Sequence, residues 1–237
     1  MSGPRGAAAL PLIYCAIDTG DLGLATELSA AVAEAGCGVK LGLEFFNAHG
    51  PRGVQTLLEN RVRPSIFLDL KYHDIPNTVA GAVKAASSLD VAYLNVHASG
   101  GAAMMRQALA ACAPKTRLLS VTVLTSLDDS ALEEVGQDGP ALAQVTRLAR
   151  LTHGCGLAGV VCSAHEVRQL RNALPDDFIL MVPGIRPEGS EAGDQKRIMT
   201  PRQAVEAGAT HLVIGRPITQ AADPAAAAKA ILASTHD

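Results

Sequence analysis

Residues 65–96 read SIFLDLKYHDIPNTVAGAVKAASSLDVAYLNV. The stretch opens on an apolar run, Ser65–Leu70, and turns charged at Asp69, Lys71 and Asp74. It then passes through a helical pattern over Thr78–Ser88 and returns to a second apolar run at Val91–Val96. Both runs are apolar nearly throughout rather than alternating, the pattern of strands buried on both faces of a parallel sheet. Strand, helix and strand in that order predict a parallel crossover.

The same unit recurs in both directions. The apolar runs are Leu12–Ile17, Gly38–Gly42, Ser65–Leu70, Val91–Val96, Arg117–Leu124, Ala158–Cys162, Phe178–Val182 and His211–Ile214. Helical patterns fill the gaps at Leu22–Ala35, Gln55–Asn60, Thr78–Ser88, Ala102–Cys112, Leu142–Thr152, Glu166–Leu174, Pro201–Ala207 and Pro224–Ala233. In the first of these, Leu24, Leu28, Ala31 and Val32 fall on one face and Gly36 is the stop signal. Pro201 and Pro224 suit a first helical turn, with Thr200 and Asp223 as the caps before them. Eight β-then-α units predict a (β/α)₈ barrel, one catalytic domain over residues 1–237. A doubly wound open sheet is the alternative, weakened because no G-x-G-x-x-G follows the first strand.

Composition narrows the function classes. The chain has 237 residues, a net charge of -3, 48% hydrophobic and 18% charged residues. Barrels of ~200–250 residues form one domain. The apolar share excludes a disordered chain. The balanced charge, without a dense Lys/Arg run, argues against a nucleic-acid partner. Aromatics at 3%, with no Trp, argue against a base-stacking platform. The cysteines, Cys15, Cys37, Cys112, Cys155 and Cys162, are odd in number and form no C-x-x-C. They read as reduced, mostly buried thiols of a cytoplasmic protein. The longest apolar stretch, Ala7–Ile17, is broken by Pro11 and closed by Asp18, well short of the ~20 residues of a membrane span. It reads as a first core strand rather than a leader or an anchor.

In a barrel the active site lies at the C-terminal strand ends. There the sequence places Asp18 after the first strand, Lys40 in the second, and Asp69 and Lys71 in the third with Asp74 beyond. Asn95 and His97 end the fourth, Thr125 and Ser126 follow the fifth, Pro183-Gly184-Ile185-Arg186 the seventh and Gly215-Arg216 the eighth. Strand alternation puts Asp69 and Lys71 on one face, with Lys40 on the adjacent strand. From these residues alone two readings stand: site charges, or a structural ion-pair network. The loops after strands seven and eight are the usual phosphate site of this fold. Gly215 lets backbone approach an anion, and Arg186 and Arg216 add charge-assisted forks; a plain turn with a solvated Arg is the alternative. The polar segment Arg186–Arg197 is too long for a tight connection and reads as a lid over a phosphate.

Other features carry less. Ser99, two residues after His97, shows no nucleophile geometry. No H-x-x-x-H pair offers metal ligands. Asp128, Asp129, Glu133 and Glu134 read as a solvated helix face.

The motifs D-L-K-Y-H-D-I-P-N-T-V (Asp69–Val79), V-H-A-S-G-G (Val96–Gly101), V-T-V-L-T-S (Val121–Ser126), P-G-I-R-P (Pro183–Pro187), G-S-E-A-G-D-Q-K-R-I-M-T-P (Gly189–Pro201) and V-I-G-R-P-I-T (Val213–Thr219) together resemble the orotidine 5'-phosphate decarboxylase family. The resemblance runs from about Ile13 to Ile231 in the family's order. D-x-K-x-x-D by itself is shared with metal-dependent phosphosugar decarboxylases; with Lys40, Gln195 and Gly215-Arg216 it is specific. One departure is Val182, where the family often has Thr.

The resemblance implies decarboxylation of orotidine 5'-monophosphate to uridine 5'-monophosphate in pyrimidine biosynthesis, with no cofactor or metal. It implies Lys71, Asp69, Lys40 and Asp74 as the catalytic charges. Asp18 and Lys40 would hold the ribose, Thr125 and Ser126 face the pyrimidine, and Pro183, Arg186, Gln195, Gly215 and Arg216 complete the substrate site around the phosphate. It implies a homodimer, Asp74 and Thr78 reaching across into the partner's site. Tyr72 and His73 are not expected to be catalytic. A metal-dependent phosphosugar decarboxylase or aldolase would need a further carboxylate where Lys40 stands. A non-catalytic phosphate-binding barrel would be marked by loss of Asp69 or Lys71, and both are present.

Overall fold

The eight apolar runs form eight parallel strands: β1 (Ile13–Ile17), β2 (Gly38–Leu41), β3 (Ile66–Tyr72), β4 (Tyr93–His97), β5 (Arg117–Val121), β6 (Gly159–Val161), β7 (Ile179–Pro183) and β8 (His211–Ile214). Each pairs with the next, and β8 closes on β1 in a barrel. The structure, a computed structural model, describes residues 10–187 and 199–235. Outside the strands run α1 (Leu22–Glu34), α2 (Leu43–Leu58), α3 (Pro76–Ser87), α4 (Gly101–Ala111), α5 (Asp129–Glu134), α6 (Ala141–Gly154), α7 (Val167–Ala173), α8 (Pro201–Ala207), α9 (Arg216–Thr219) and α10 (Pro224–Ala233). No helix among the described residues is long and apolar enough to cross a membrane.

Strand alternation sorts side chains into two cores. Ile13, Cys15 and Ile17 join Ala25, Leu28 and Val32 of α1 in the layer between sheet and helices. Tyr14 and Ala16 join Phe67, Tyr93, Leu119, Ile179, Met181 and Val213 in a cluster supplied by strands, the barrel interior. Val182 belongs to the outer layer, so its departure from Thr does not alter the interior. Gly38 makes room for the Tyr14 ring, since a Cβ there would lie 2.5 Å from it.

Several sequence expectations shift. Strand three runs on to Tyr72, and strand five stops at Val121 rather than Leu124. Helix α2 starts at Leu43, not Gln55: Gly50 (φ 57°, ψ -154°) and Pro51 interrupt it, and that pair masked the periodicity of its first half. In α1, Leu24 is 46% exposed and Ala25 takes its place in the core. Thr200 and Asp223 cap as expected, accepting from the N–H groups of Gln203 and Ala226 at 3.2 and 2.9 Å. The five cysteines are free. Burial pushes the Cys15 thiol up to about 12 and Cys37 up to about 11, so both stay thiols rather than nucleophilic thiolates.

Candidate active site

The C-terminal strand ends surround a cavity of about 520 Å³, within the ~300–1,000 Å³ of small-molecule sites. One wall is ionic. Lys40 Nζ lies 3.4 Å from Asp18 Oδ1 and 3.3 Å from Asp69 Oδ2. Lys71 Nζ donates to Asp69 Oδ1 at 2.7 Å. The order Asp18, Lys40, Asp69, Lys71 alternates in sign, each charge beside its opposite. Lys40 and Asp69 side chains are each 11% exposed, and removing one partner of such a pair leaves a stranded charge at ~3–5 kcal/mol. Burial pulls the Asp69 pKa upward. Lys40, Lys71 and hydrogen bonds from Lys71 and Asn95 outweigh it and hold the carboxyl below its ordinary value. Gly42 leaves this wall its space, since a Cβ there would sit 3.3 Å from Asp18 Oδ1 and 3.4 Å from Lys40 Nζ.

Lys71 reaches the cavity by an irregular route. β3 and β4 pair at Leu68↔Leu94 and again at Tyr72↔Val96, so Asp69, Leu70 and Lys71 together oppose Asn95. Lys71 has φ 51°, a left-handed conformation that costs a non-glycine residue ~1–3 kcal/mol. Its N–H donates to the Asn95 side-chain Oδ1 at 2.8 Å. Simple alternation put Asp69 and Lys71 on one face. They do meet, but across a bulge that a period-two pattern does not register.

The facing wall carries the anion-binding candidates. Thr125, Pro183, Gly184, Arg186, Gly215 and Arg216 all line the cavity. Gly184 takes φ 79°, a turn conformation that favours glycine. Arg186 is 7% exposed, and Arg216 opens the short helix α9. Among the described lining residues, four cations (Lys40, Lys71, Arg186, Arg216) face two carboxylates (Asp18, Asp69). That excess suits a ligand with more than one negative charge.

Other candidates are not brought to this cavity. Ser126 is exposed in the turn beyond Thr125 and is not part of the lining. Asp74 and Thr78 are exposed at the start of α3, where Pro76 takes the first helical position. The Asp74 carboxylate accepts from its neighbour, the Ile75 N–H, at 2.6 Å. Gln195, with most of the lid segment Arg186–Arg197, lies outside the described residues. The rings of His73 and His97 sit 5.5 Å apart, tilted by 31°. Burial, then His73 and Lys71, hold the His97 pKa below its ordinary value.

Sequence reasoning gave no site role to Asn95 or Gly42. The signal for Asn95 was present: one amide inside the otherwise apolar Tyr93–Val96, and fully buried polar groups need partners. Gly42 shows no signal without coordinates.

A model described as the orotidine 5'-phosphate decarboxylase / HUMPS family matches residues 11–231. Two curated relatives, from Rhodospirillum rubrum and Idiomarina loihiensis, are each named orotidine 5'-phosphate decarboxylase. The first is 52% identical, over 92% of this chain and 92% of its own. The second is 50% identical, over 95% and 98% respectively. The crystal structure of orotidine 5'-phosphate decarboxylase from Lactobacillus acidophilus superposes with a TM-score of 0.83 at 36% identity, covering 97% of this chain and 100% of that one.

Proposed function

The chain belongs to the orotidine 5'-phosphate decarboxylase / HUMPS family and is a carboxy-lyase that converts orotidine 5'-monophosphate to uridine 5'-monophosphate in pyrimidine biosynthesis; from that premise we propose how its residues divide the work. The observation that carries the proposal is the alternating charge chain Asp18–Lys40–Asp69–Lys71, with Lys71 Nζ held 2.7 Å from Asp69.

Loss of carbon dioxide leaves an electron pair at ring carbon 6, with no adjacent carbonyl to take it up. The Lys71 ammonium stabilises that charge as it develops and then gives carbon 6 its proton. Asp69 is already ionised, and it sits beside the substrate carboxylate. Repulsion between the two is relieved as the carboxylate leaves, which raises the ground state relative to the transition state. Asp18 and Lys40 hold the ribose hydroxyls, while Thr125 borders the base and Pro183 the substrate beside the phosphate. Arg186, Gly215, Arg216 and Gln195 hold the phosphate. Binding energy gained there, away from the reacting carbon, is used in the transition state.

The working form is a homodimer in this reading. Asp74 and Thr78 are exposed beside Ile75, which is 67% exposed, and an apolar side chain flanked by functional polar ones suits a partner surface. Asp74 and Thr78 then complete the partner's mouth. The free thiols fit the cytoplasm.

Loss of orotidine 5'-monophosphate absorbance on adding pure protein, with and without a chelator, tests the reading. Equal turnover in both is expected. No turnover would sink it, and turnover abolished by the chelator would contradict a metal-free mechanism.

A further inference from the structure

We infer that Asn95 is a positioning residue for the decarboxylation, fixing Asp69 and Lys71 relative to one another; the inference rests on the roles proposed above for those two residues. Asn95 lies in β4, opposite the bulge, and is fully buried. Its Oδ1 accepts the Lys71 backbone N–H at 2.8 Å, and its Nδ2 donates to Asp69 Oδ1 at 2.6 Å. That same Asp69 oxygen accepts from Lys71 Nζ at 2.7 Å. One amide therefore closes a ring with the backbone of Lys71 and the carboxylate of Asp69.

The orientation of the amide follows from chemistry. A backbone N–H can only donate and a carboxylate can only accept. Turning the amide over would set N–H against N–H and oxygen against oxygen. Only an Asn-like side chain serves both partners at once, since Asp lacks the donor and Leu lacks both groups.

The bulge explains why such a residue is needed. Three residues of β3 face one of β4, so regular ladder bonds are lost where Lys71 adopts its left-handed conformation. The Asn95 side chain replaces one of them and thereby holds the strained residue. The carboxylate is fixed at the same time. Around it stand Lys71 on its own strand, Lys40 on β2 at 3.3 Å and Asn95 on β4, with Asp18 beyond Lys40 and His97 further along β4. Loss of the Asn95 donor removes one group that favours the ionised form. The Asp69 pKa then rises, and the acid limb of the rate profile moves to higher pH.

Three variants of the full-length enzyme test this: Asn95→Ala, Asn95→Asp and Lys71→Ala, each assayed for kcat, KM, the pH dependence of kcat, and affinity for the product uridine 5'-monophosphate. Asn95→Ala should lower kcat by at least about tenfold, the worth of a hydrogen bond to a charged group. Product affinity should stay within about twofold, because Asn95 holds the catalytic charges and not the phosphate or ribose contacts. Asn95→Asp keeps the volume and the acceptor for Lys71 N–H but sets a second carboxylate against Asp69. It leaves no cavity, so it stands in if the Ala variant does not fold, and its acid limb should move further up than that of Asn95→Ala. Unchanged kcat and acid limb in either soluble variant would overturn the inference. So would a product affinity that falls as far as kcat, since that marks a collapsed site. Near-normal turnover by Lys71→Ala would remove the reading beneath the inference, and the inference with it. An inactive Lys71→Ala beside fully active Asn95 variants would defeat the inference alone.

Discussion

The two ends of the barrel interior solve the problem of buried polar groups in opposite ways. At the C-terminal mouth the groups are charged, Asp18, Lys40, Asp69 and Lys71, and satisfy one another as ion pairs facing an open cavity. Toward the N-terminal end the groups are mostly neutral and packed. Tyr14, Phe67 and Tyr93 meet edge to face with centroids 5.6 to 6.3 Å apart. Tyr93 Oη lies 2.8 Å from His211 Nε2, and His211 Nδ1 lies 2.8 Å from the Pro11 carbonyl oxygen. A carbonyl only accepts, so Nδ1 carries the proton and Nε2 accepts from the tyrosine. Arg117, on the rim, donates to the same phenol oxygen at 3.3 Å. Charges with room for a ligand make chemistry; a packed chain of hydrogen bonds among aromatics makes stability. Substitutions at one end should therefore move rates, and at the other, melting.

The largest expected effect crosses between subunits. Asp74→Ala and Lys71→Ala chains should each be almost inactive alone. Mixed after proven subunit exchange, they should regain activity toward about half of wild type per heterodimer, since one mouth then holds every charge. No recovery would refute the shared site, and a monomeric active species in sedimentation would refute the dimer. Next is Arg216→Ala, which should lower kcat/KM by at least about tenfold. The loss should be smaller on the phosphate-free nucleoside; equal losses on both substrates would take Arg216 away from the phosphate.

At the other end, Tyr93→Phe strands His211 Nε2 without a donor in a buried place. It should cost about 1–3 kcal/mol of stability and leave kcat unchanged. A lowered kcat with unaltered melting would dissolve the contrast between the two ends. The smallest effect is on the slope of stability with pH. Burial, helped by Arg117 and opposed by the Pro11 bond, holds the His211 pKa below its ordinary value. The unfolded chain then takes up a proton below about pH 6.5 that the folded chain refuses. His211 thus contributes stability in full above that pH, and loses it as pH falls toward the folded value. His97, shifted the same way, adds to the slope. In thermal melts from pH 7.5 down to 5.5, His211→Gln should fall less steeply than wild type; an identical slope would remove His211 from the account.

The contrast also shows what a linear reading can see. Strands such as Leu12–Ile17 and His211–Ile214 were legible because burial on both faces leaves a continuous apolar run. Asp18, Lys40, Asp69, Arg186 and Arg216 were legible because a charge at the end of such a run has one place to go. The first half of α2 was not, because Gly50 and Pro51 break the period that would reveal it. The bulge at Asp69–Lys71 was not, because alternation counts residues along one strand and a bulge is a mismatch between two. Asn95 looked like one polar residue in a strand until its partners were in place. The neutral end was unread for a related reason: Tyr14, Tyr93 and His211 lie far apart in the chain, and only barrel closure brings them together.

If the Lys71 ammonium at the charged mouth stabilises and protonates the ring carbanion, removing it should abolish turnover while the barrel still forms. Steady-state turnover of orotidine 5'-monophosphate by purified wild type and Lys71→Ala, with melting followed in parallel, tests it most directly. The expected result is a loss of at least about 10⁴-fold in kcat, the upper range for a positioned proton donor, in a variant that still folds and still binds uridine 5'-monophosphate. Near-normal turnover by the folded variant would contradict it.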